Sequence, residues 1–210
     1  MKRFLLSISM LVAIPFLIGF TTNTKINSLK IGKKAPLLDL KMKDVSGKEF
    51  SLSDLNQENG LLVIFSCNTC PFVIGNDNME GWESRYNNLY KTCKLQRIGM
   101  VLVNSNEAKR GQGDSYTDMQ IHSREEKYDS PYVLDKNNQL ADAFGASTTP
   151  HVFLLNNDLK LVYKGAIDDN VQAKKSVKEK WLEQALTSLG KGEKIVQQET
   201  RNSGCSIKRL

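Results

Sequence analysis

Two cysteines, Cys67 and Cys70, are separated by two residues and follow the continuous apolar run Leu61–Phe65. Such a run is typical of a strand buried on both faces, and apolar residues at helical spacing follow Cys70. Thiols with this spacing at the start of a helix can close a small disulfide. The positive end of the helix would stabilise a Cys67 thiolate. The pattern predicts a redox dithiol in which Cys67 attacks a disulfide and Cys70 resolves the mixed disulfide.

A structural disulfide and half of a zinc site are the two other interpretations of the pair. A zinc site needs a second pair of ligands at suitable spacing. The remaining candidate ligands are scattered along the chain: Cys93, Cys205, His122 and His151. An exported fold rarely needs a disulfide at a strand-to-helix junction. The sequence therefore favours redox chemistry and predicts neither a metal nor a cofactor.

The dipeptide Thr149-Pro150 is the second feature, because it precedes an apolar strand about 80 residues after the cysteine pair. Taken alone, a proline at the start of a strand is more often trans than cis. The cis form is what the family resemblance given next implies.

At this point the sequence resembles the thioredoxin superfamily, and more closely its bacterial peroxiredoxin-like and TlpA-like groups. The resemblance runs from about residue 35 to the C-terminus, in the blocks 65–73, 144–151, 163–170 and 204–208. It implies an α/β thioredoxin-like fold: a mixed central sheet with helices on both faces, an N-terminal β-hairpin and an insertion between central strands. It also implies that a cis-Pro150 faces the dithiol and that Thr149 offers main-chain groups to an extended substrate.

The sequence departs from these families at four positions. Leu61 stands where thioredoxin has a buried acid, and Ser66 stands where it has a tryptophan. Thr148 stands where some relatives have an extra cysteine. Ile64 stands where peroxiredoxins have a threonine, three residues before their reactive cysteine, which argues against peroxidase activity. No proton acceptor for the exchange is identified.

Five further residues have chemistry that the dithiol does not require. Cys93 is interpreted as a buried, inert thiol. Cys205 lies in a polar tail and either folds back as an extra resolving thiol, pairs with Cys93 or stays free. His151 either lies near the sulfurs, favouring thiolate, or points away. His122 is expected on the surface, and Asp168 is expected to cap a turn or a helix.

The rest of the chain must position these groups. We predict an N-terminal hairpin from short alternating segments, a helical stretch from Cys70 broken near Gly75 and Gly81, and a second buried strand over Ile98–Val103. Further predicted elements are helices over 116–128, 139–144 and 177–189, a strand over 131–134, and a hairpin over 152–163.

The N-terminus has the sequence pattern of a targeting segment. Lys2 and Arg3 precede the apolar run Phe4–Ile18, which is short for a membrane span. A cleaved signal peptide is favoured over a membrane anchor, and both place the rest outside the cytoplasm. The predicted organisation is a signal peptide over residues 1–22, a linker over 23–35, a thioredoxin-like domain over 36–190 and a surface C-terminal extension over 191–210.

The balance of charge excludes nucleic acid as a partner. Without Lys2 and Arg3 the chain has 27 basic and 23 acidic residues, a small and dispersed excess. The Lys-rich stretch 174–180 is interpreted as the solvated face of a helix.

Together these features predict an exported thiol–disulfide oxidoreductase acting on protein or small-molecule disulfides. By analogy with TlpA-like proteins, a reductase served by a membrane electron donor is favoured over an oxidase. A thiol peroxidase using Cys67 is one alternative. A Sco-like copper chaperone with Cys67, Cys70 and His151 as ligands is another, although that branch spaces its cysteines by three residues.

Overall fold

A computed structural model describes residues 27–210 of the chain. Its strands, in chain order, are β1 (Met42–Asp44), β2 (Glu49–Phe50), β3 (Gly60–Ser66), β4 (Ile98–Asn104), β5 (Tyr132–Leu134), β6 (Thr148–Thr149), β7 (His151–Leu155), β8 (Leu161–Gly165) and β9 (Cys205–Ser206). Its α-helices are α1 (Leu52–Leu55), α2 (Pro71–Ile74), α3 (Tyr86–Leu95), α4 (Tyr116–Glu125), α5 (Gln139–Phe144) and α6 (Trp181–Gly190). The predicted signal peptide lies outside the described residues.

Seven strands form one mixed sheet in the order β2–β1–β5–β4–β3–β7–β8. The central strand β3 runs parallel to β4 and antiparallel to β7. Every residue of β3 is buried, as the uninterrupted apolar run predicts for a strand covered on both faces. The predicted N-terminal hairpin is the β1–β2 pair, and the predicted insertion is the segment 105–147 between β4 and β7.

Helices cover both faces of the sheet, and each face has its own apolar core. Helices α3 and α6 pack on the face that also holds Cys67 and Cys70. Helices α1 and α5 pack on the opposite face, around the rings of Phe65, Phe144 and Phe153. Alternate residues of β3 point to opposite faces because side chains alternate along a strand, so Ile64 and Phe65 lie in different cores.

The helical stretch predicted after Cys70 is broken more completely than a kink. Helix α2 ends after one turn, and a short 3₁₀ turn at Glu83–Arg85 precedes α3. Gly75 has φ +82° and Gly81 has φ +73°, and at Gly81 a Cβ atom would lie 2.3 Å from the Val73 carbonyl oxygen. A side chain is excluded there, so these glycines turn the chain out of the helix.

The segments predicted as a linker and as a surface extension are parts of the folded unit. The Leu29 N–H donates to the Phe144 carbonyl (2.9 Å), and the Ala35 N–H donates to the Leu159 carbonyl (2.8 Å). At the other end, Ile195 and Ile207 are buried. Both ends of the described chain therefore extend the domain beyond the limits 36–190, because long-range contacts that composition does not reveal hold them.

The Lys-rich stretch 174–180 is exposed but is not the face of a helix. It contains a 3₁₀ turn at Lys174–Ser176 and irregular backbone, and α6 begins only at Trp181. Within residues 27–210, no helix combines the length and the apolar character that crossing a bilayer requires.

Candidate active site

The two cysteines of the dithiol lie in a short loop between β3 and α2. Pro71 occupies the first helical position, and Cys70 is the extended residue before it. The N–H groups of Val73 and Ile74 donate to the Cys70 carbonyl, at 2.8 and 3.0 Å. These are the ordinary hydrogen bonds of a first helical turn, and stabilisation of a Cys67 thiolate by this helix terminus stays a prediction.

The loop that carries Pro150 faces both sulfurs. The Thr149–Pro150 peptide bond is cis. Cys67 Sγ lies 3.1 Å from the Thr149 hydroxyl oxygen, and Cys70 Sγ lies 3.2 Å from the Thr149 carbonyl oxygen. These contacts join residues 82 and 79 positions apart. The fold thus brings together the four residues that the sequence analysis selected.

The two thiols differ sharply in ionisation. Burial raises the pKa of Cys67 well above its ordinary value, and hydrogen bonding to Cys70 and the nearby charge of Asp114 act in the same direction. The pKa of Cys70 is lowered to about 5, chiefly by a hydrogen bond from the Cys67 thiol and further by bonds from the thiol and backbone of Cys205. Within this coupled pair the pKa of Cys70 is therefore the lower one, whereas in its contact with the Thr149 carbonyl oxygen Cys70 Sγ is the hydrogen-bond donor and carries its proton.

Titration of the reduced protein tests this assignment. We expect the ultraviolet absorbance of a thiolate to appear with a midpoint near pH 5 and to be missing from Cys70→Ser, because Cys70 is charged above its pKa of about 5. Cys93→Ser is the control: burial raises the Cys93 pKa to about 12, so this variant should titrate like the wild type at neutral pH. A wild-type thiolate signal that appears only above pH 8, roughly where an unperturbed thiol ionises, would contradict the assignment.

Asp114 is a central residue of the site that sequence reasoning did not identify. It is fully buried in the loop before α4. Its Oδ1 accepts from the Asn68 N–H (2.7 Å) and from Asn104 Nδ2 (2.8 Å), while its Oδ2 accepts from the Thr69 hydroxyl (2.8 Å) and from Asn106 Nδ2 (3.0 Å). One carboxylate thus ties the two residues between the cysteines to the end of β4. The only hint in the sequence is the polar run after β4, which lacks any recognisable motif.

His151 does not belong to the dithiol site. It is buried, its ring centroid lies 4.5 Å from that of Phe153, and its Nδ1 accepts from the Ser147 N–H (3.3 Å). Phe153 lies in the core on the face opposite the cysteines. Burial, with the nearby charge of Lys164, lowers the pKa of His151 to about 4, so it is neutral at pH 7.

The position of His151 also removes the predicted copper ligand set, because its ring and the two sulfurs are on different faces of the sheet. Residues 27–210 hold no group of three His, Cys, Asp or Glu side chains placed to bind a metal ion.

The two remaining cysteines have different surroundings. Cys93 is fully buried in α3, as predicted for an inert thiol. Cys205 lies in β9, which pairs antiparallel with β6 so that Cys205 is opposite Thr149. Its thiol is close enough to Cys70 for each of the two to shift the pKa of the other. Of the three arrangements that the sequence left open for Cys205, the structure has the tail folded back onto the dithiol.

His122, which was expected on the surface, and Asp168, which was expected to cap a turn or a helix, are both paired with a partner. His122 Nε2 lies 2.5 Å from Glu83 Oε1, and only 18% of the His122 side chain is exposed. Asp168 caps a turn as predicted, since it accepts from the Asn170 N–H (2.9 Å). It also accepts from Trp82 Nε1 (2.6 Å) and from Arg85 Nε (3.2 Å). These buried contacts hold the chain that follows α2 against the turn after β8.

Comparisons with known proteins agree with this architecture. A family model described as Redoxin matches residues 30–182. Among curated proteins, the chain is 26% identical over 173 residues to the thiol–disulfide oxidoreductase ResA of Bacillus subtilis (strain 168), covering 77% of this chain and 83% of that protein.

Two solved structures resemble the chain over most of its length. An uncharacterized conserved protein from Geobacillus kaustophilus is 28% identical, with a TM-score of 0.78, and the match covers 88% of this chain and 94% of that one. A hypothetical protein from Sinorhizobium meliloti 1021 is also 28% identical, with a TM-score of 0.77, covering 88% of this chain and 97% of that one. Together with the Redoxin match, these similarities confirm the predicted thioredoxin-like fold.

Proposed function

The chain belongs to the redoxin family, and on that premise we propose that it is a thiol–disulfide oxidoreductase that reduces disulfides outside the cytoplasm. The observation that carries the proposal is the contact of both free thiols, Cys67 and Cys70, with the residue before the cis-proline. A thiolate with a lowered pKa beside a second thiol is the arrangement that disulfide exchange requires. The name of the Bacillus relative supports the same activity.

The ionisation of the pair assigns the steps. The Cys70 thiolate attacks one sulfur of a substrate disulfide, and a Cys70–substrate disulfide forms as the other substrate sulfur leaves as a thiolate. Cys67 then gives its proton to that thiolate and attacks Cys70 Sγ. The Cys67–Cys70 disulfide forms, and the second substrate sulfur leaves with the electron pair. Two electrons pass from the dithiol to the substrate, with the roles of Cys67 and Cys70 exchanged relative to the sequence expectation.

Thr149 and Pro150 form the proposed docking site for the substrate. Thr149 contacts both sulfurs, and β6 is a short strand that pairs with β9 in this structure, so an extended substrate would take the place of β9. This geometry favours a protein disulfide as the substrate.

The proposal of export rests on the sequence, and the direction of electron flow rests on the analogy with TlpA-like proteins. The apolar segment after Lys2 and Arg3 has the features of a secretory signal. A reductase in an oxidising compartment must be recharged, so the proposal includes a membrane-bound dithiol donor as a partner.

Trapping a mixed disulfide tests the mechanism, with insulin as the disulfide substrate. Because Cys205 also lies beside Cys70, the trap combines Cys67→Ser with Cys205→Ser, leaving no thiol to resolve the intermediate. We expect this variant to accumulate a Cys70–insulin adduct and to lose turnover. The matched variant, Cys70→Ser with Cys205→Ser, should form no adduct, and Cys93→Ser should reduce insulin like the wild type.

Three results would contradict parts of the proposal. If the variant with Cys70→Ser and Cys205→Ser formed an adduct on Cys67, and the variant with Cys67→Ser and Cys205→Ser formed none, Cys67 would be the attacking thiol, as expected from the sequence. The absence of an adduct in both would refute dithiol exchange. A reduction potential near roughly −120 mV, rather than near roughly −270 mV, would indicate an oxidase instead of a reductase.

A further inference from the structure

The C-terminal segment occupies the edge of the loop at which a substrate is proposed to dock. The Ile207 N–H donates to the Ser147 carbonyl (3.0 Å), and Asn202 Nδ2 donates to the Thr148 hydroxyl (2.8 Å). Strand β9 pairs with β6 between these two contacts. The edge of β6 is therefore already paired in this structure, and the occupant is the chain itself.

Gly204 brings this segment into direct contact with Thr149. A Cβ atom at position 204 would lie 2.4 Å from the Thr149 carbonyl oxygen, a distance that a side chain cannot adopt. The backbone before Cys205 therefore lies against the carbonyl that Cys70 Sγ also contacts. This close approach places a cysteine beside the dithiol in the position where a substrate cysteine would lie.

The three thiols differ in access to solvent. Cys67 is 0% exposed and Cys70 is 3% exposed, whereas Cys205 is only half-buried. Cys205 packs on the core that holds both active-site cysteines. With the tail docked, Cys205 is the most exposed residue of the three cysteines.

The tail is also tied to the buried network that holds the dithiol loop. The Lys208 N–H donates to Asn106 Oδ1 (3.0 Å), and Asn106 Nδ2 donates to Asp114 (3.0 Å). Asp114 in turn accepts from the Asn68 N–H between the two cysteines. Hydrogen bonds of Asn202, before Cys205, and of Lys208, after it, thus hold Cys205 beside the dithiol loop.

We propose that Cys205 is a third redox thiol of this site, which takes over the disulfide from the Cys67–Cys70 pair as a Cys70–Cys205 disulfide. The proposal rests on the dithiol exchange proposed above. It makes the C-terminal strand a tethered substrate, and Cys205 the sulfur through which an external dithiol recharges the enzyme.

The exchange balances without an external oxidant. In the oxidised site, the Cys205 thiol loses its proton and its sulfur attacks Cys70 Sγ. The Cys70–Cys205 bond forms, the Cys67–Cys70 bond breaks, and the electron pair leaves on Cys67 Sγ, which takes up a proton. An external dithiol then attacks Cys205, and Cys70 leaves as a thiolate. The second thiol of the donor resolves the mixed disulfide on Cys205, and all three cysteines are reduced.

The charges in the reduced site suit the recharging step, in which Cys70 is the leaving group. A thiol with a low pKa is the better leaving group, and the pKa of Cys70 is lowered to about 5. The pKa of Cys205 is raised to about 11 by burial and then by its hydrogen bond to Cys70 and the charge of Cys70. When Cys70 is in a disulfide its charge is absent, so Cys205 ionises more readily in the state in which it must attack.

Peptide mapping of the oxidised full chain tests the proposal. Cys67 and Cys70 share the tryptic peptide Glu49–Arg85, Cys205 lies in Asn202–Lys208, and Cys93 lies in Thr92–Lys94. The protein is equilibrated in thiol–disulfide buffers of graded potential, alkylated in acid and digested without reduction. In Cys67→Ser we expect the alkylated Asn202–Lys208 peptide to be lost on oxidation and recovered as a disulfide-linked species with Glu49–Arg85.

Matched variants fix which sulfurs are joined. Cys70→Ser should keep Asn202–Lys208 alkylated. Cys67→Ser combined with Cys93→Ser and Cys205→Ala should give no linked species, because its Asn202–Lys208 peptide has no thiol. Cys67→Ala is a second route to the same trapped state if Cys67→Ser folds poorly. Thr92–Lys94 should stay alkylated in every variant that retains Cys93.

Two outcomes would overturn the proposal. One is an Asn202–Lys208 peptide that stays alkylated in Cys67→Ser and Cys67→Ala while the wild type forms the disulfide within Glu49–Arg85. The other is a link as abundant in Cys70→Ser as in Cys67→Ser, which would remove the assignment to Cys70. A wild type that never forms the disulfide within Glu49–Arg85 would instead refute the dithiol function itself, so the two failures are distinguishable.

Discussion

Replacing Asp114 with alanine is expected to lower the free energy of unfolding by about 4 kcal/mol, because four hydrogen-bond donors lose their acceptor at a fully buried site. Asp114→Asn should recover little of this stability, since its amide group would place a donor against donors. The free energy of unfolding of the reduced protein in urea is the measurement.

The same substitution should also alter the dithiol. Asp114 fixes Asn68 and Thr69, so its loss frees the loop that holds Cys67 and Cys70 against Thr149. We expect the pKa of Cys70 to rise from about 5 towards its ordinary value of 9.0, which thiolate absorbance reports.

Asp118→Ala is the matched control for Asp114→Ala. Asp118 lies four residues later on the surface and closes the capping box of α4 with Ser115. Its loss should cost about 1 kcal/mol and leave the titration of Cys70 unchanged. If Asp114→Ala destabilised the protein no more than Asp118→Ala, or left the Cys70 titration unchanged, Asp114 would not hold the loop as the structure indicates.

Replacing Asp168 with alanine is expected to cost about 3–5 kcal/mol of stability, since it removes the buried counter-ion of the Arg85 guanidinium and leaves only the more exposed Glu80, 3.6 Å away. The Arg85 and Asp168 side chains are 6% and 7% exposed. Arg85 would keep its bonds to the carbonyls of Gly81 and Asn170, and Trp82 Nε1 would lose its acceptor. Urea unfolding of the reduced protein is again the measurement.

The neighbouring residue provides the control for Asp168. Asp169 is exposed, and its carboxylate accepts one hydrogen bond from the Lys178 N–H (3.0 Å). Asp169→Ala should cost less than about 1 kcal/mol. Replacing the pair together, with Arg85→Met and Asp168→Leu, should recover part of the loss, because no uncompensated charge remains. Equal losses of unfolding free energy for Asp168→Ala and Asp169→Ala would show that the buried Arg85–Asp168 ion pair does not stabilise the fold.

The fold followed from local patterns to a large extent. The unbroken apolar run Leu61–Phe65 predicted a strand buried on both faces, and β3 is that strand. The end of α5 before Gly145 and the hairpin of β7 and β8 were also predicted from the sequence, because turn residues and side-chain periodicity act over a few residues. Main-chain pairing of the predicted linker and surface extension with the domain was not predicted, because polar composition does not reveal contacts with a distant strand edge.

The sequence by itself determined the chemistry of this protein: two thiols at the spacing of a dithiol, placed after a buried strand, and a Thr-Pro pair before another strand. Only the tertiary structure decided which sulfur carries the charge, that Cys205 joins the site, that Asp114 anchors the loop and that His151 is excluded from it. These outcomes depend on hydrogen bonds and burial between residues far apart in the chain, such as the 46 positions between Asn68 and Asp114. Spacing along a chain determines which groups can meet within one turn, whereas ionisation depends on every group that packing brings within hydrogen-bonding distance.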